Sequence, residues 1–352
     1  MRMRTEATAV GIALSCLCLG LVACGSGSSN GGAGSLRDAM GAVKDSPESR
    51  TSFAWADQKA LRTLTGVSAA SSTKRGDPKW VRLNSVAVPA AADVGPQLAD
   101  GTGIDVRAGQ RAISIGVLPS GGERLDGVNG TNISKKLKGL GATQESALGR
   151  LFLTFAAENR VDLSNAKLGD DVFLVLNRAV VKGSSVAFGL ANGAVDAILG
   201  GGRSLADVAG ESAIADCLGD TVAAQVMAPP AGVASGVSLV GVGVRRPQLA
   251  KSSAREVLCE VVDKQSASAL AATVRDRVRP DSRLFDGYEV RDRIAQASVD
   301  QITKGDTSLI RLTLDLVAPA RAGFLFFDQG PDRQGLAFLG GGSTANGAPT
   351  AS

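Results

Sequence analysis

The sequence predicts an α+β fold, in which two similar lobes each combine a mainly antiparallel sheet with packed helices. Apolar and polar residues alternate from Ile310 to Leu316, the pattern of a half-buried strand. The Asp286-Gly287 pair favours a tight turn between antiparallel strands. In each part of the chain, two strands precede a helix and further strands follow it. This repeated order is the basis for predicting two lobes of similar build.

The first 23 residues are predicted to be an export signal. Arg2 and Arg4 give a positive start, and the apolar run Ala7 to Leu21 is shorter than the roughly 20 residues that span a bilayer. The sequence Leu21-Val22-Ala23-Cys24 follows and resembles the lipobox of bacterial lipoproteins. That resemblance implies lipidation of Cys24, which becomes the new N-terminus. An ordinary cleaved signal peptide and an uncleaved anchor are the alternatives.

Residues 24–35 are predicted to be the lipidated cysteine and a flexible tether. The stretch after Cys24 contains only Gly, Ser, Asn and Ala, and such a chain of eleven residues spans about 18 Å. Two acyl chains anchor a protein stably where one does not, and the lipoprotein resemblance implies at least two on Cys24. We therefore expect the membrane to be a partner through this anchor, with the protein on the extracytoplasmic face. Residues 340–352 are predicted to be a disordered Gly/Ser/Ala tail.

Residues 36–228 are predicted to form the N-terminal lobe. Asp57 is expected to cap a helix from Gln58 to Leu64. A strand is expected from Ala112 to Leu118. A helix is predicted from Gln144 to Asn159, with a strand from Leu151 to Phe155 as the alternative. A buried strand is predicted from Val172 to Leu176.

Residues 233–339 are predicted to form the C-terminal lobe, after a Pro/Gly-rich boundary at 229–232. Strands are expected from Val237 to Val244 and from Glu256 to Val262. A last strand is predicted from Phe324 to Phe327. The two parts form either one bilobed body or two domains.

The chain contains no histidine, which excludes Ser-His-Asp and Cys-His catalysis and histidine-ligated zinc sites. Its 38 basic and 34 acidic residues give a mild balance, and aromatic residues make up only 4% of the chain. Nucleic-acid binding normally requires clustered basic residues with aromatic stacking partners, so it is not expected. No cofactor and no metal site is predicted.

Cys217 and Cys259 are expected to form a disulfide, because an even pair outside the cytoplasm is more often bridged than free. Strand alternation places Cys259 on the inward face and the glutamates at 256 and 260 on the opposite face. Cys217 ends a predicted helix just before Gly219. The alternative is two separate buried thiols.

Several short motifs match catalytic or binding patterns by letter, and we assign a function to none of them. Most are interpreted as loops or turns, whereas Gly241-Val242-Gly243 lies in the predicted strand from Val237 to Val244 and lacks the third glycine and the helix of a dinucleotide-binding motif. Ser71-Ser72-Thr73-Lys74 fits Ser-x-x-Lys, but the chain has no Lys-Thr-Gly strand to complete that site. The others are Gly27-Ser28-Ser29-Asn30-Gly31, Asp100 to Asp105, Asp170-Asp171, Gly200-Gly201-Gly202 and Gly241-Val242-Gly243.

Beyond the lipobox, the order of elements is similar to that of a group of actinobacterial secreted lipoproteins to which no activity is attached. The matching pieces are Phe53 to Asp57, Ala60 to Arg62, Ala215 to Asp220, Gly241 to Pro247 and Val257 to Cys259. The resemblance implies location and carries over no chemistry.

The leading functional hypothesis is a membrane-tethered, non-enzymatic binding or scaffolding module of the cell envelope. The first alternative is the substrate-binding lipoprotein of an ABC importer, although such proteins alternate strands and helices in doubly wound lobes. The second is a carboxylate-based envelope hydrolase, which requires two acidic side chains in one pocket.

Overall fold

One antiparallel sheet of twelve strands organises the part of the chain that the computed structural model describes. The described residues are 34–67, 76–160, 171–230, 232–248, 252–284, 287–318, 321–327 and 339–340, and all belong to one compact unit. The combination of this sheet with separate helices confirms the predicted α+β class. The predicted signal, Cys24 and residues 341–352 lie outside the described residues.

The strands are β1 (Ser52–Ala56), β2 (Arg111–Ile115), β3 (Gly122–Asp126), β4 (Thr143–Ala147), β5 (Arg150–Thr154), β6 (Arg178–Lys182), β7 (Ser185–Gly189), β8 (Thr221–Met227), β9 (Val237–Arg245), β10 (Arg255–Val262), β11 (Ile294–Lys304) and β12 (Thr307–Leu316). The α-helices are α1 (Leu36–Gly41), α2 (Pro47–Thr51), α3 (Gln58–Thr65), α4 (Pro89–Asp93), α5 (Gly95–Thr102), α6 (Gly130–Gly139), α7 (Asn192–Ile198), α8 (Ala209–Leu218), α9 (Ala267–Arg277), α10 (Val290–Arg293) and α11 (Phe324–Phe327). Short 3₁₀ helices cover Val81–Ser85, Val172–Leu174 and Leu205–Asp207.

The strand order is β11-β12-β10-β9-β8-β1-β2-β3-β7-β6-β5-β4. Strand β1 lies between β8 and β2 and pairs antiparallel with both. The strands of the two predicted lobes thus belong to one continuous sheet. Strand β1 is the sixth in this order, and it joins the half of the sheet that starts at β8 to the half that starts at β2. The boundary expected at 229–232 falls in the connection between β8 and β9, which pair with each other.

Both faces are buried at the centre of the sheet, as β1 shows, whereas the edge strands β4 and β11 are largely exposed. Phe53 and Trp55 contact the core that packs against α1, α7 and α8, whereas Ala54 and Ala56 contact the core beneath α3, α4, α6 and α11. A strand alternates its side chains between faces, so burial on both sides requires apolar residues at every position. Among the described residues, no helix has both the length and the apolar character of a membrane span.

Burial on both faces changes the environment of two glutamates on β10. The alternation predicted for this strand is correct, since Val257 and Cys259 share the face of α8. The opposite face is not open, however: Glu256 is 0% and Glu260 is 1% exposed. Helices α9 and α11 lie against this half of the sheet and exclude water from both side chains.

Three local predictions are corrected by the structure. The predicted helix from Gln144 to Asn159 is instead the hairpin of β4 and β5, because Leu148 and Gly149 both take positive φ (51° and 72°) and turn the chain back. The strand alternative for this segment is therefore the right one. The predicted strand at Val172 is a 3₁₀ helix. The predicted strand Phe324 to Phe327 is a helical turn.

The helical turn α11 has a clear physical cause. The carboxylate of Glu256 accepts hydrogen bonds from the N–H groups of Gly323, Phe324 and Leu325 at 2.6, 2.9 and 2.7 Å. These are the amide groups that a helix leaves without partners at its start. A sequence pattern cannot predict a capping residue that is 67 positions away.

We predict that Gly241→Ala destabilises the protein, by roughly 1–3 kcal/mol. A methyl group at position 241 of β9 would collide with the side chain of Ile214 on α8. The matched control is Gly193→Ala in α7, where a methyl group meets nothing within 4 Å and should be neutral or stabilising by up to about 1 kcal/mol. Urea unfolding measures both variants, and equal midpoints would contradict the close packing of α8 on β9.

We predict that Glu260→Gln removes part of the pH dependence of stability. Burial raises the pKa of Glu260 to about 8, although the positive charge of Arg277 acts in the opposite direction. Because the folded-state pKa lies above the unfolded one, this carboxyl group favours folding most below about pH 4.5, and that contribution is lost as the pH rises towards 8. The variant, neutral at every pH, should gain a few kcal/mol over the wild type between pH 5 and pH 8.

Urea unfolding at pH 5, 6.5 and 8 provides the measurement for Glu260→Gln. Asp281→Asn is the control, because that side chain is 75% exposed. Parallel stability curves for the wild type and Glu260→Gln would show that Glu260 does not titrate in this range.

Candidate functional site

An apolar cleft of about 280 Å³ lies beside the loop that joins β2 to β3. Its walls come from α4, from the ends of β2, β3 and β7, and from the chain after the 3₁₀ helix at Val172. The apolar side chains that line it are Pro89, Ile115, Val117, Leu118, Val175 and Phe188. This size and lining are typical of a site for a small ligand.

The mouth of the cleft carries exposed apolar side chains. Val117 is 66% and Leu118 is 46% exposed, and both line the cavity. The loop can leave the strand at this point because Gly116 adopts a left-handed φ of +64°. Val117 and Leu118 thus form a small exposed apolar patch at the rim of the cavity.

Two acidic residues line the same cleft. The carboxyl oxygens of Glu123 accept hydrogen bonds from the N–H groups of Ala90 and Ala91 at 2.9 and 3.1 Å. Burial raises the pKa of Glu123 to about 8, the nearby charge of Asp93 raises it further, and the two N–H groups act in the opposite direction. The raised pKa favours the protonated form of Glu123, and the two hydrogen bonds fix the start of α4 to the sheet.

Asp93 occupies a different position, at the exposed end of α4. It lines the cleft and also a second cavity of about 240 Å³. Pro89 lines both cavities as well. No described cation lies within ion-pair distance of its carboxylate. The apolar walls of the second cavity are Val86, Phe326 and Phe327. Asp93 is thus a carboxylate between two apolar cavities.

The ring of Phe327 already has a cation beside it. The guanidinium carbon of Arg82 lies 4.6 Å from the centre of this ring, a cation–π contact. Arg82 thus places a positive charge beside one wall of the second cavity, whereas Asp93 supplies a carboxylate to its lining.

The cysteines predicted to pair do form a disulfide. Cys217 at the end of α8 and Cys259 on β10 have Cα atoms 6.3 Å apart and are both buried. The bridge fixes α8 to the sheet in the half of the molecule that does not contain the cleft. Lipidation of Cys24 stays a prediction, because that residue lies outside the described part of the chain.

The motifs interpreted as turns contribute nothing to the cleft. Gly200-Gly201-Gly202 follows α7 with three positive φ values, as expected of a turn. The turn predicted from Asp100 to Asp105 is partly wrong, because residues 100–102 are the last residues of α5, which ends at Thr102 before Gly103 takes a left-handed φ. Ser71-Ser72-Thr73-Lys74 and the tether motif lie outside the described residues. Within the described ranges, no group of three or more Cys, Asp and Glu side chains could hold a metal ion.

Sequence reasoning did not find Asp93 or Glu123. A signal existed for Glu123, because alternation along β3 places it on the same face as the buried Leu125. None existed for Asp93, whose importance comes from two cavities that distant segments enclose. Comparison of the chain with protein-family models, curated proteins and solved structures gives no match. The function must therefore be inferred from the residues themselves.

Proposed function

We propose that this protein is a membrane-tethered, non-enzymatic binding module on the extracytoplasmic face of the cell envelope. We propose further that its ligand is a small amphipathic cation, with apolar groups in the cleft and a positive charge at Asp93. The observation that carries the ligand class is the position of Asp93, an exposed carboxylate between two apolar cavities.

The chemistry of the cleft supports a cation in preference to an anion. Glu123, with its pKa raised to about 8, is largely neutral at pH 7, so Asp93 supplies the negative charge. An ammonium group beside Asp93 gains a charge-assisted hydrogen bond, whereas a carboxylate there is repelled. The apolar part of the ligand contributes roughly 25 cal/mol for each Å² removed from water.

The tether supports the proposed location. The segment that resembles a lipobox ends at Cys24, and a Gly/Ser-rich sequence lies between Cys24 and the first described helix, α1. A module held in this way encounters solutes at the membrane surface while its folded part stays in water.

The importer alternative has less support. A substrate-binding protein of that class closes two lobes on its ligand, whereas here β1 hydrogen-bonds to both halves of one sheet. Rotation of one half relative to the other would break these pairs. The cleft also lies within one half, between α4, β3 and β7, and not between the two.

The hydrolase alternative has one specific observation in its favour. Asp93 and Glu123 line the same cleft, and a carboxyl group with a raised pKa can act as a general acid. Both carboxyl oxygens of Glu123, however, already accept backbone N–H groups of α4. This arrangement turns the group towards the helix that it holds, which is why we favour binding over hydrolysis.

We predict that the lipidated chain, purified in detergent, binds hexylammonium but not hexanoate. Isothermal titration calorimetry with butyl-, hexyl- and octylammonium should show an affinity gain of about 0.8 kcal/mol for each buried CH₂. Asp93→Asn should weaken hexylammonium binding about tenfold, because the charge partner is lost. The same variant should bind hexanol as the wild type does.

Asp100→Asn is the matched control, since Asp100 is an exposed aspartate on the neighbouring helix α5 and lines neither cavity. Equal binding of hexanoate and hexylammonium, or an Asp93→Asn variant with unchanged affinity, would refute the cation. Failure of all these probes to bind would refute the cleft as a ligand site.

The anchor gives a separate prediction. Replacing Cys24 with alanine removes the thiol that the lipobox resemblance assigns to acylation, so the protein should leave the membrane fraction or keep residues 1–23. Ser26→Ala, two positions further on, should change neither property. Membrane fractionation and intact-mass measurement test both variants, and a wild-type chain without acyl chains would refute the anchor.

A further inference from the structure

A second concave surface, separate from the cleft, lies where β9 ends and β10 begins. It is a polar groove of about 840 Å³ on the other half of the sheet, and β11 and β12 complete its walls. Its lining includes four arginines, three serines, one threonine and three aspartates. The arginines are Arg245, Arg246, Arg255 and Arg311.

Three of the four arginines form ion pairs with carboxylates. Arg255 donates to both oxygens of Asp315 at 2.7 and 3.0 Å. The remaining pairs are Arg311 with Asp300 at 2.8 Å, and Arg246 with Asp57 and Asp220 at 3.0 Å each. These contacts fix the guanidinium groups along one side of the groove.

Arg245 is the exception. No described carboxylate lies within ion-pair distance of it, and one of its amino groups donates to the carbonyl oxygen of Cys217, 3.2 Å away at the end of α8. The absence of a side chain at Gly219 leaves room for its guanidinium, because a Cβ there would overlap it. Arg245 therefore donates to a backbone carbonyl and forms no ion pair with a described carboxylate.

The surroundings of Arg245 add further positive charge. Burial lowers the pKa of Arg245 and the positive charge of Arg311 acts in the same direction, whereas Asp220 raises the pKa and Arg255 again lowers it. An anion that binds beside this guanidinium group stabilises its charged form. The planar set of donors on the guanidinium suits oxyanions in particular.

We propose that this groove binds a phosphate group, with Arg245 as its principal partner. The hydroxyl groups of Ser252, Ser253 and Thr313 also line the groove and supply further donors to phosphate oxygens. A free phosphate ion and the phosphate of a lipid headgroup present the same chemistry to these residues. The site is independent of the cation cleft, and neither Asp93 nor Glu123 takes part in it.

The test is calorimetric titration of the lipidated chain in detergent with inorganic phosphate. Arg245→Gln should weaken phosphate binding at least tenfold, and higher ionic strength should weaken wild-type binding as well. Arg203→Gln is the control, because Arg203 is an exposed arginine outside the groove.

Asp300→Asn provides a second test of the proposal in case Arg245→Gln fails to fold. This variant frees the guanidinium of Arg311 and removes a negative charge from the groove, so it should bind phosphate several-fold more tightly. A misfolded protein cannot bind more tightly than the wild type. Unchanged or weaker binding by Asp300→Asn would count against the site.

A second titration distinguishes the two sources of phosphate. Monomeric dihexanoylphosphatidylglycerol is the lipid probe, and dihexanoylphosphatidylcholine is its control with a neutral headgroup. Binding of phosphate alone assigns a free ion, and binding of the glycerol lipid assigns a headgroup, provided that Arg245→Gln weakens it. If neither probe binds, or if Arg245→Gln binds like the wild type, the proposal is wrong.

Discussion

Strand β1 is the constraint on which the rest of this structure depends. It comes early in the chain, yet it lies in the middle of the sheet and pairs with β2 on one side and β8 on the other. Its two faces contribute Phe53 and Trp55 to one core and Ala54 and Ala56 to the other. The cleft beside β2 and the groove beyond β8 have fixed positions because this one strand connects both halves by backbone hydrogen bonds.

Two buried glutamates hold short helices against the sheet. Glu123 holds the first amide groups of α4, and Glu256 holds those of α11. Helix α4 carries Asp93, and α11 carries the phenylalanines of the second cavity. Both cavities therefore have a wall formed by a short helix. In each case a carboxyl group on a strand caps that helix and holds it in position.

Two buried carboxyl groups of this protein also have a pKa close to the neutral range. The sequence has no histidine, the side chain that ordinarily changes charge in that range. Burial brings the pKa of both Glu123 and Glu260 to about 8 instead. The absence of histidine therefore does not make the protein insensitive to pH, because burial can raise the pKa of a carboxyl group into the neutral range.

The sequence by itself determined the α+β class, the alternation along β10 and β12, the helix capped by Asp57 and the pairing of Cys217 with Cys259. Each of these depends on neighbours within one element or on a count of cysteines. Tertiary structure alone decided that the halves share one sheet, that Glu256 and Glu260 are buried, and that Asp93 lies between two cavities. The physical reason is that periodicity shows which residues share a face, whereas burial and charge pairing depend on what distant segments place over that face.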